Sequence, residues 1–238
     1  MLSKAESSIA KAAQRHTVYK NAAGKRVPSV TTILGVIAKP ALIPWANKLG
    51  LDGIVYEDYM KESAKMGTLA HEIIQEDLGG IAFQWDRGAY TPDQVSQASN
   101  SVVNFQQWAS SNKLDIEHIE LAVINEAYQY GGRVDLIAKL GEERWLIDFK
   151  TGKSGIFKEH EAQVAAYYKA LVANGYRIDG VRILRIARVD EGGFQDHVMS
   201  QAKLNTAWGI FESALMLYRA MQIHDRKERA NTNDNSIG

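Results

Sequence analysis

The 238-residue chain is long enough for one sizeable core, and its 45% hydrophobic and 24% charged content excludes a largely disordered or collagen-like protein. Its 28 basic and 28 acidic side chains cancel, so a polyanionic partner must be met by a local patch rather than by the field of the whole molecule. With 0 cysteines, neither a disulfide framework nor a thiolate-held iron–sulfur cluster or zinc site can form, which suits a reducing compartment.

Met1 to His16 lacks the apolar run of a signal peptide, and no stretch reaches bilayer-spanning length, so the expected address is cytoplasmic with no membrane partner. The runs His16 to Tyr19 and Arg26-Val27, around a turn at Asn21 to Gly24, predict a β-hairpin at the edge of the fold. Ser29 to Leu34 leads into a short helix with Ser or Thr available to cap it, and Pro40 and Pro44 punctuate the approach to another around Trp45 to Leu49. Ala64, Leu69, Ile73, Ile74 and Leu78 follow helical spacing from Lys61 to Leu78, with Gly79-Gly80 as the stop. A further helix follows Pro92 and carries Val95, Val102, Val103, Phe105 and Trp108.

The period then changes. Ile119, Leu121 and Val123, then Val134 to Ala138, then Trp145 to Phe149 are short apolar-rich runs separated by Gly131-Gly132 and Gly141, which predicts a three-stranded meander. His160 to Asn174 returns to helical spacing through Val164, Tyr167, Tyr168 and Leu171. A strand at Val181 to Ala187, a hairpin partner at Phe194 to Met199 and a last helix from Gln201 to Ile223 complete the pattern, before a polar, frayed tail from Asp225 to Gly238.

Asp148 and Lys150 stand two residues apart on the third strand of the meander, so the pleat directs both to one face and Phe149 to the other. The Gly141 turn folds the preceding strand back and brings Asp135 towards Asp148. Carboxylates held close repel unless a divalent cation lies between them, and hard oxygen donors suit magnesium or manganese. A lysine beside such a centre can orient a water and offset charge building on phosphate, which is the chemistry of phosphodiester hydrolysis. A single acid in a strand ordinarily pairs with a neighbour, so the functional reading rests on the whole set.

Gly132-Arg133-Val134-Asp135 followed by Asp148-Phe149-Lys150 resembles the GxxD and (D/E)xK motifs of the PD-(D/E)XK nuclease superfamily. Gln163 to Tyr167 is similar to the QxxxY motif of its RecB-type branch, and Gly67 to His71 to that branch's upstream GxxxH element. Pro28 to Leu34 looks like the N-terminal element of the mitochondrial genome maintenance exonuclease and its phage relatives, so the likeness runs from about Val27 to Tyr167. Asp148 stands where many members carry Glu, a change common in the RecB-type branch.

The resemblance implies an α/β fold with a central mixed sheet flanked by helices, a restriction-endonuclease-like core. A single nuclease domain would span 1–224, with an N-terminal helical cap over about 29–112 and a catalytic core over about 115–224, leaving 225–238 as a disordered tail. It implies metal-dependent cleavage of DNA, preferentially at free single-stranded ends or flaps, in phage or bacterial replication or recombination, where a protein of that pathway is a possible partner. The site it implies joins Asp135, Asp148 and Lys150 with Gln163 and Tyr167, which share one helical face and suit a contact to the lysine or a phosphate. His71 would add a nitrogen ligand, and Glu120 on the first strand of the meander is a further candidate ligand beside Asp135 and Asp148. The missing cysteines exclude the iron–sulfur branch.

Two other readings use the same scaffold: a nucleic-acid-binding recombination partner or regulator that does not cut, and a site-specific endonuclease. Arg182, Arg185 and Arg188, with Lys153 and Lys158, are available to line a phosphate backbone, although spaced charges more often form a solvated face.

Overall fold

A computed structural model describes residues 17–79, 87–152, 155–188 and 193–234. The edge hairpin forms as expected from β1 (Tyr19–Lys20) and β2 (Arg26–Val27), paired antiparallel. Ser29 caps α1 (Val30–Leu34), its Oγ accepting the Thr32 N–H at 3.0 Å. Pro44 lies in the first turn of α2 (Leu42–Leu51), where its missing N–H costs nothing. The next helix, α3 (Tyr56–Asp77), starts ahead of the expected Lys61. Thr91, Pro92 and Gln94 build a full capping box at the head of α4 (Pro92–Asn112).

The predicted meander is β3 (Leu114–Asn125), β4 (Tyr130–Leu140) and β5 (Glu143–Lys150), antiparallel throughout, with Gly141 at φ 65° in the β4–β5 turn. Helix α5 (Lys158–Ala173) carries the chain over to β6 (Gly180–Ile186), which pairs parallel with β5. β7 (Phe194–Met199) returns antiparallel along β6, giving one mixed five-stranded sheet of order β3-β4-β5-β6-β7. The last helix, α6, runs Gln201–Asp234, well past the Ile223 at which the sequence pattern ends it; exposed polar residues continue it after its apolar face is spent.

Helices cover both faces of the sheet. On one, Ile74 of α3 and Val102, Phe105 and Trp108 of α4 pack on Leu136, Ala138, Ile147 and Phe149. On the other, α1, α5 and α6 pack on Val134, Ile137, Leu146 and Ile183. The segment read as a cap thus supplies one complete helical layer, through α3 and α4, and a single helix, α1, of the opposite layer.

Beyond a register shift between Ile116 and His118, strand alternation breaks beside Asp135. Val134 packs on the α5 side, yet Leu136, two residues on, packs on the α4 side. The neighbouring strand turns over with it in unbroken register, since Leu121, paired with Val134, faces α5 and Ile119, paired with Leu136, faces α4, with Glu120 between them at φ 54°. Residues two apart on a regular strand share a face, so both strands turn over at Glu120 and Asp135.

Candidate active site

The β4–β5 ladder runs from Leu140↔Glu143 to Leu136↔Ile147 and ends there, so the strands part at Asp135 and Asp148. In place of the next backbone bond, the Asp135 carboxylate accepts the Phe149 N–H at 2.7 Å. β5 stays paired with β6 as far as Lys150↔Arg185, so its end is backed on one side and open on the other. A cleft of about 360 Å³ opens at that point, lined by Asp135, Asp148 and Lys150, by Gly67 and His71 of α3, by Gln163 of α5, and by Arg188 just beyond β6.

Asp148 is 1% exposed, and Lys150 Nζ lies 2.5 Å from its Oδ2. Lys150 is the partner of Oδ2, while Oδ1 of this buried carboxylate has no hydrogen-bond partner. Burial pushes the Asp148 pKa up, Lys150 pulls it back, and the charge of Asp135 raises it again. Asp135 is likewise raised by burial and lowered by Lys150. His71 Nδ1 stands 3.9 Å from Asp135 Oδ2. Burial, then the Lys150 cation, lowers its pKa to about 4, so at neutral pH the ring is uncharged and keeps a lone pair for a ligand.

Two carboxylates, one of them buried with an unsatisfied oxygen, and a neutral imidazole form a donor set that fits a hard or borderline divalent cation. Among the described residues, no three His, Asp or Glu groups already surround a single point at ligating distance. Lys150 is the counter-charge that faces Asp148.

Several expected members stand elsewhere. Glu120 does not line the cleft: its carboxylate accepts from Gln75 Nε2 at 2.7 Å and Arg133 Nη1 at 3.1 Å. Burial, then Asp135, pushes its pKa up to about 7. Gln163 lines the cleft, but Tyr167 is buried behind it and accepts the Gln163 amide at 2.9 Å, so the phenol holds the glutamine rather than a lysine or phosphate. Arg182 lies away from the cleft, paired with Asp196 at 2.6 Å and stacked 4.1 Å from the Trp145 ring. Arg185 donates to Gln195 on β7, Lys158 is exposed at the start of α5, and Lys153 lies outside the described residues. Of the basic residues named, Arg188 joins the cleft.

Sequence reasoning gave His160 no role. Its Nδ1 accepts the Phe157 N–H at 3.2 Å at the head of α5, and burial and then the Lys150 charge lower its pKa to about 4. The signal was present, because His160 precedes Gln163 by one helical turn on the same face.

The glycines explain why the motifs occur together. A Cβ on Gly132 would fall 2.3 Å from Cε1 of Tyr167, so the first residue of the GxxD spacing must be bare for the last of the QxxxY spacing to lie against it. Gly131 in turn donates its N–H to the Pro28 carbonyl at 3.0 Å and bridges to Ser29, which docks the early Pro28 to Leu34 element on β4.

A family model of the PD-(D/E)XK nuclease superfamily matches residues 46–207, more than half of this chain. Among curated proteins none matches. A solved structure, "Crystal structure of SSO0001", is similar at 13% identity with a TM-score of 0.32, over 64% of this chain and 72% of that one.

Proposed function

Because this chain belongs to the PD-(D/E)XK nuclease superfamily, we propose that it hydrolyses phosphodiester bonds of DNA with a divalent cation, working as an exonuclease on free single-stranded ends or flaps. The observation that carries the reading is the meeting of Asp135, Asp148 and Lys150 where β4 and β5 part. Members of this superfamily generally use divalent metals, and the superfamily implies nucleic-acid binding. Preference for ends, and a place in phage or bacterial replication or recombination, rest on the likeness of the Gly67 to His71 and Gln163 to Tyr167 spacings to the RecB-type branch. No described helix is long and apolar enough to cross a membrane.

Asp135 and Asp148 would hold magnesium or manganese, with His71 as the neighbouring nitrogen donor. Bound there, the cation supplies Lewis-acid polarisation of the phosphate. Lys150 then presents its ammonium to the charge that grows on phosphate as a water oxygen bonds to phosphorus and the sugar oxygen leaves. Gln163, held by Tyr167, offers an amide to the lysine, the water or a phosphate oxygen. The end of β5 supplies rigidity, because Asp148 and Lys150 are fixed by the β6 ladder.

The test is digestion of end-labelled linear single-stranded, linear double-stranded and closed circular DNA, with magnesium, manganese or EDTA. Wild type should degrade linear single strands only with metal, and Asp148→Asn and Lys150→Ala should lose at least about a hundredfold in rate while keeping the circular dichroism spectrum. Cutting of closed circles would convert the reading to an endonuclease. Undiminished digestion by both variants would remove the site assignment, and metal-dependent DNA binding without any digestion would leave a non-cutting partner.

A further inference from the structure

Arg188 is a buried charge that the acids and lysine do not account for. It is 5% exposed and forms part of the same cleft wall as Thr151. Its Nη2 donates to the Ser63 carbonyl at 3.1 Å and to Thr151 Oγ1 at 3.4 Å, both neutral acceptors. Its Nε is buried without a partner, and among the described residues no carboxylate forms an ion pair with it. Burying a guanidinium without a counter-anion is among the costliest arrangements in a fold. Burial accordingly lowers its pKa, with Tyr59 acting in the opposite direction.

The position is built rather than incidental. Asn100 of α4 donates to the Arg188 carbonyl at 3.3 Å, while Ser101 and Asn104 of α4 both donate to the Ala187 carbonyl at 3.1 Å. That helix therefore fixes the backbone from which the guanidinium projects. Opposite, a Cβ on Gly67 would stand 3.3 Å from Nη2 and 3.5 Å from Thr151 Oγ1, so a bare backbone there gives the fork its room.

We propose that Arg188, with Thr151, forms a subsite for a phosphate group of the polynucleotide, a binding residue for the strand additional to Asp135, Asp148 and Lys150. A planar guanidinium with donors left over matches the oxygens of a tetrahedral phosphate, and the Thr151 hydroxyl supplies a further donor. A phosphate seated there enters the cleft that holds the carboxylates. This inference rests on the nuclease reading and adds the group by which the strand is gripped.

The test uses the full chain in the Asp148→Asn background with magnesium, so that binding is read without cutting. Fluorescence anisotropy would follow oligothymidylates carrying a 5′-phosphate, a 3′-phosphate or two hydroxyl ends. Arg188→Gln should weaken binding at least tenfold and reduce the salt dependence by about one phosphate contact. Arg188→Lys should restore part of the affinity, because it returns the charge without the fork. The melting temperature of Arg188→Gln should equal or exceed that of its parent, since a buried unpaired charge has been removed. A deficit confined to the 5′- or the 3′-phosphorylated strand identifies a terminal phosphate as the ligand; an equal deficit on all three identifies an internal phosphodiester. Unchanged affinity in a folded Arg188→Gln, or a fall in melting temperature with no binding defect, overturns the subsite and leaves the nuclease reading standing. Failure of the wild-type chain both to bind and to cut removes both.

Discussion

Replacing Gly132 with alanine drives a methyl group into the ring of Tyr167. The added carbon would lie 2.3 Å from Cε1, 2.9 Å from Cδ1 and 3.3 Å from Val30 Cγ2. Non-bonded carbons settle at about 3.5–4.0 Å, so the ring must retreat by roughly 1 Å. Little space receives it, because Tyr167 is 4% exposed among α1, α5 and β4 residues, and its hydroxyl is tied to Gln163 at 2.9 Å. Overpacking a filled core costs about 1–3 kcal/mol. A lost hydrogen bond adds about 1 kcal/mol. Alanine returns about 0.5–1 kcal/mol through its smaller backbone entropy loss in a strand. The expected net loss is about 1–3 kcal/mol, read as a lower urea midpoint followed by the fluorescence of the 5 tryptophans. The decisive control is the same substitution in a Tyr167→Ala background, where the clash has gone and Gly132→Ala should cost nothing. An equal cost in both backgrounds, or an unchanged midpoint in the single variant, refutes the reasoning.

Three further outcomes follow from named contacts. Glu120 has its pKa raised to about 7 by burial and then by Asp135, so the folded state favours its protonated form, and the stability this gives at low pH is lost as pH rises from about 4.5 through 7. Glu120→Gln should therefore gain on wild type between pH 5 and pH 8, on the order of 3 kcal/mol at most, and parallel urea midpoints across that range would contradict this. His71, lowered to about 4, should show a proton NMR titration midpoint near that value and be neutral at pH 7; a midpoint near 6.5 would contradict its burial beside Lys150. Asp196→Ala should destabilise by about 2–4 kcal/mol, since it strips the buried Arg182 of its carboxylate and Trp108 Nε1 of its acceptor, while DNA cutting by the folded protein stays unchanged. A loss of cutting there, with stability kept, would put Arg182 in the site after all.

The candidate cluster was legible because its logic is local. The pleat alone sets Asp148 and Lys150 on one face, the Gly141 turn sets Asp135 opposite, and the i, i+4 rule pairs Gln163 with Tyr167. What escaped the sequence depends on how elements meet. The face reversal at Glu120 and Asp135 arises from two paired strands turning over together, and no periodicity within either strand announces it. That reversal also explains why Glu120 ends beside Arg133 and Gln75 rather than in the cleft. Arg182 and Arg188 look equivalent in the sequence, yet one is sandwiched by Trp145 and Asp196 and the other is anchored by α4 into the cleft wall, a difference set by tertiary neighbours.

The docking of Pro28 to Leu34 has a consequence for how the chain folds. Its hydrogen bond to Gly131 spans about a hundred residues of sequence, and α1 rests on α5 and α6, which come later still. Contacts of such sequence separation form only after the intervening loop has been closed at entropic cost. During synthesis, the early segment has no surface to settle on until β4, α5 and α6 have been made, and the seam it closes includes Gly132 and the ring of Tyr167. Docking of that segment therefore coincides with the packing of Tyr167, which holds Gln163, so a chain in which it has not docked carries the acids without that support behind them.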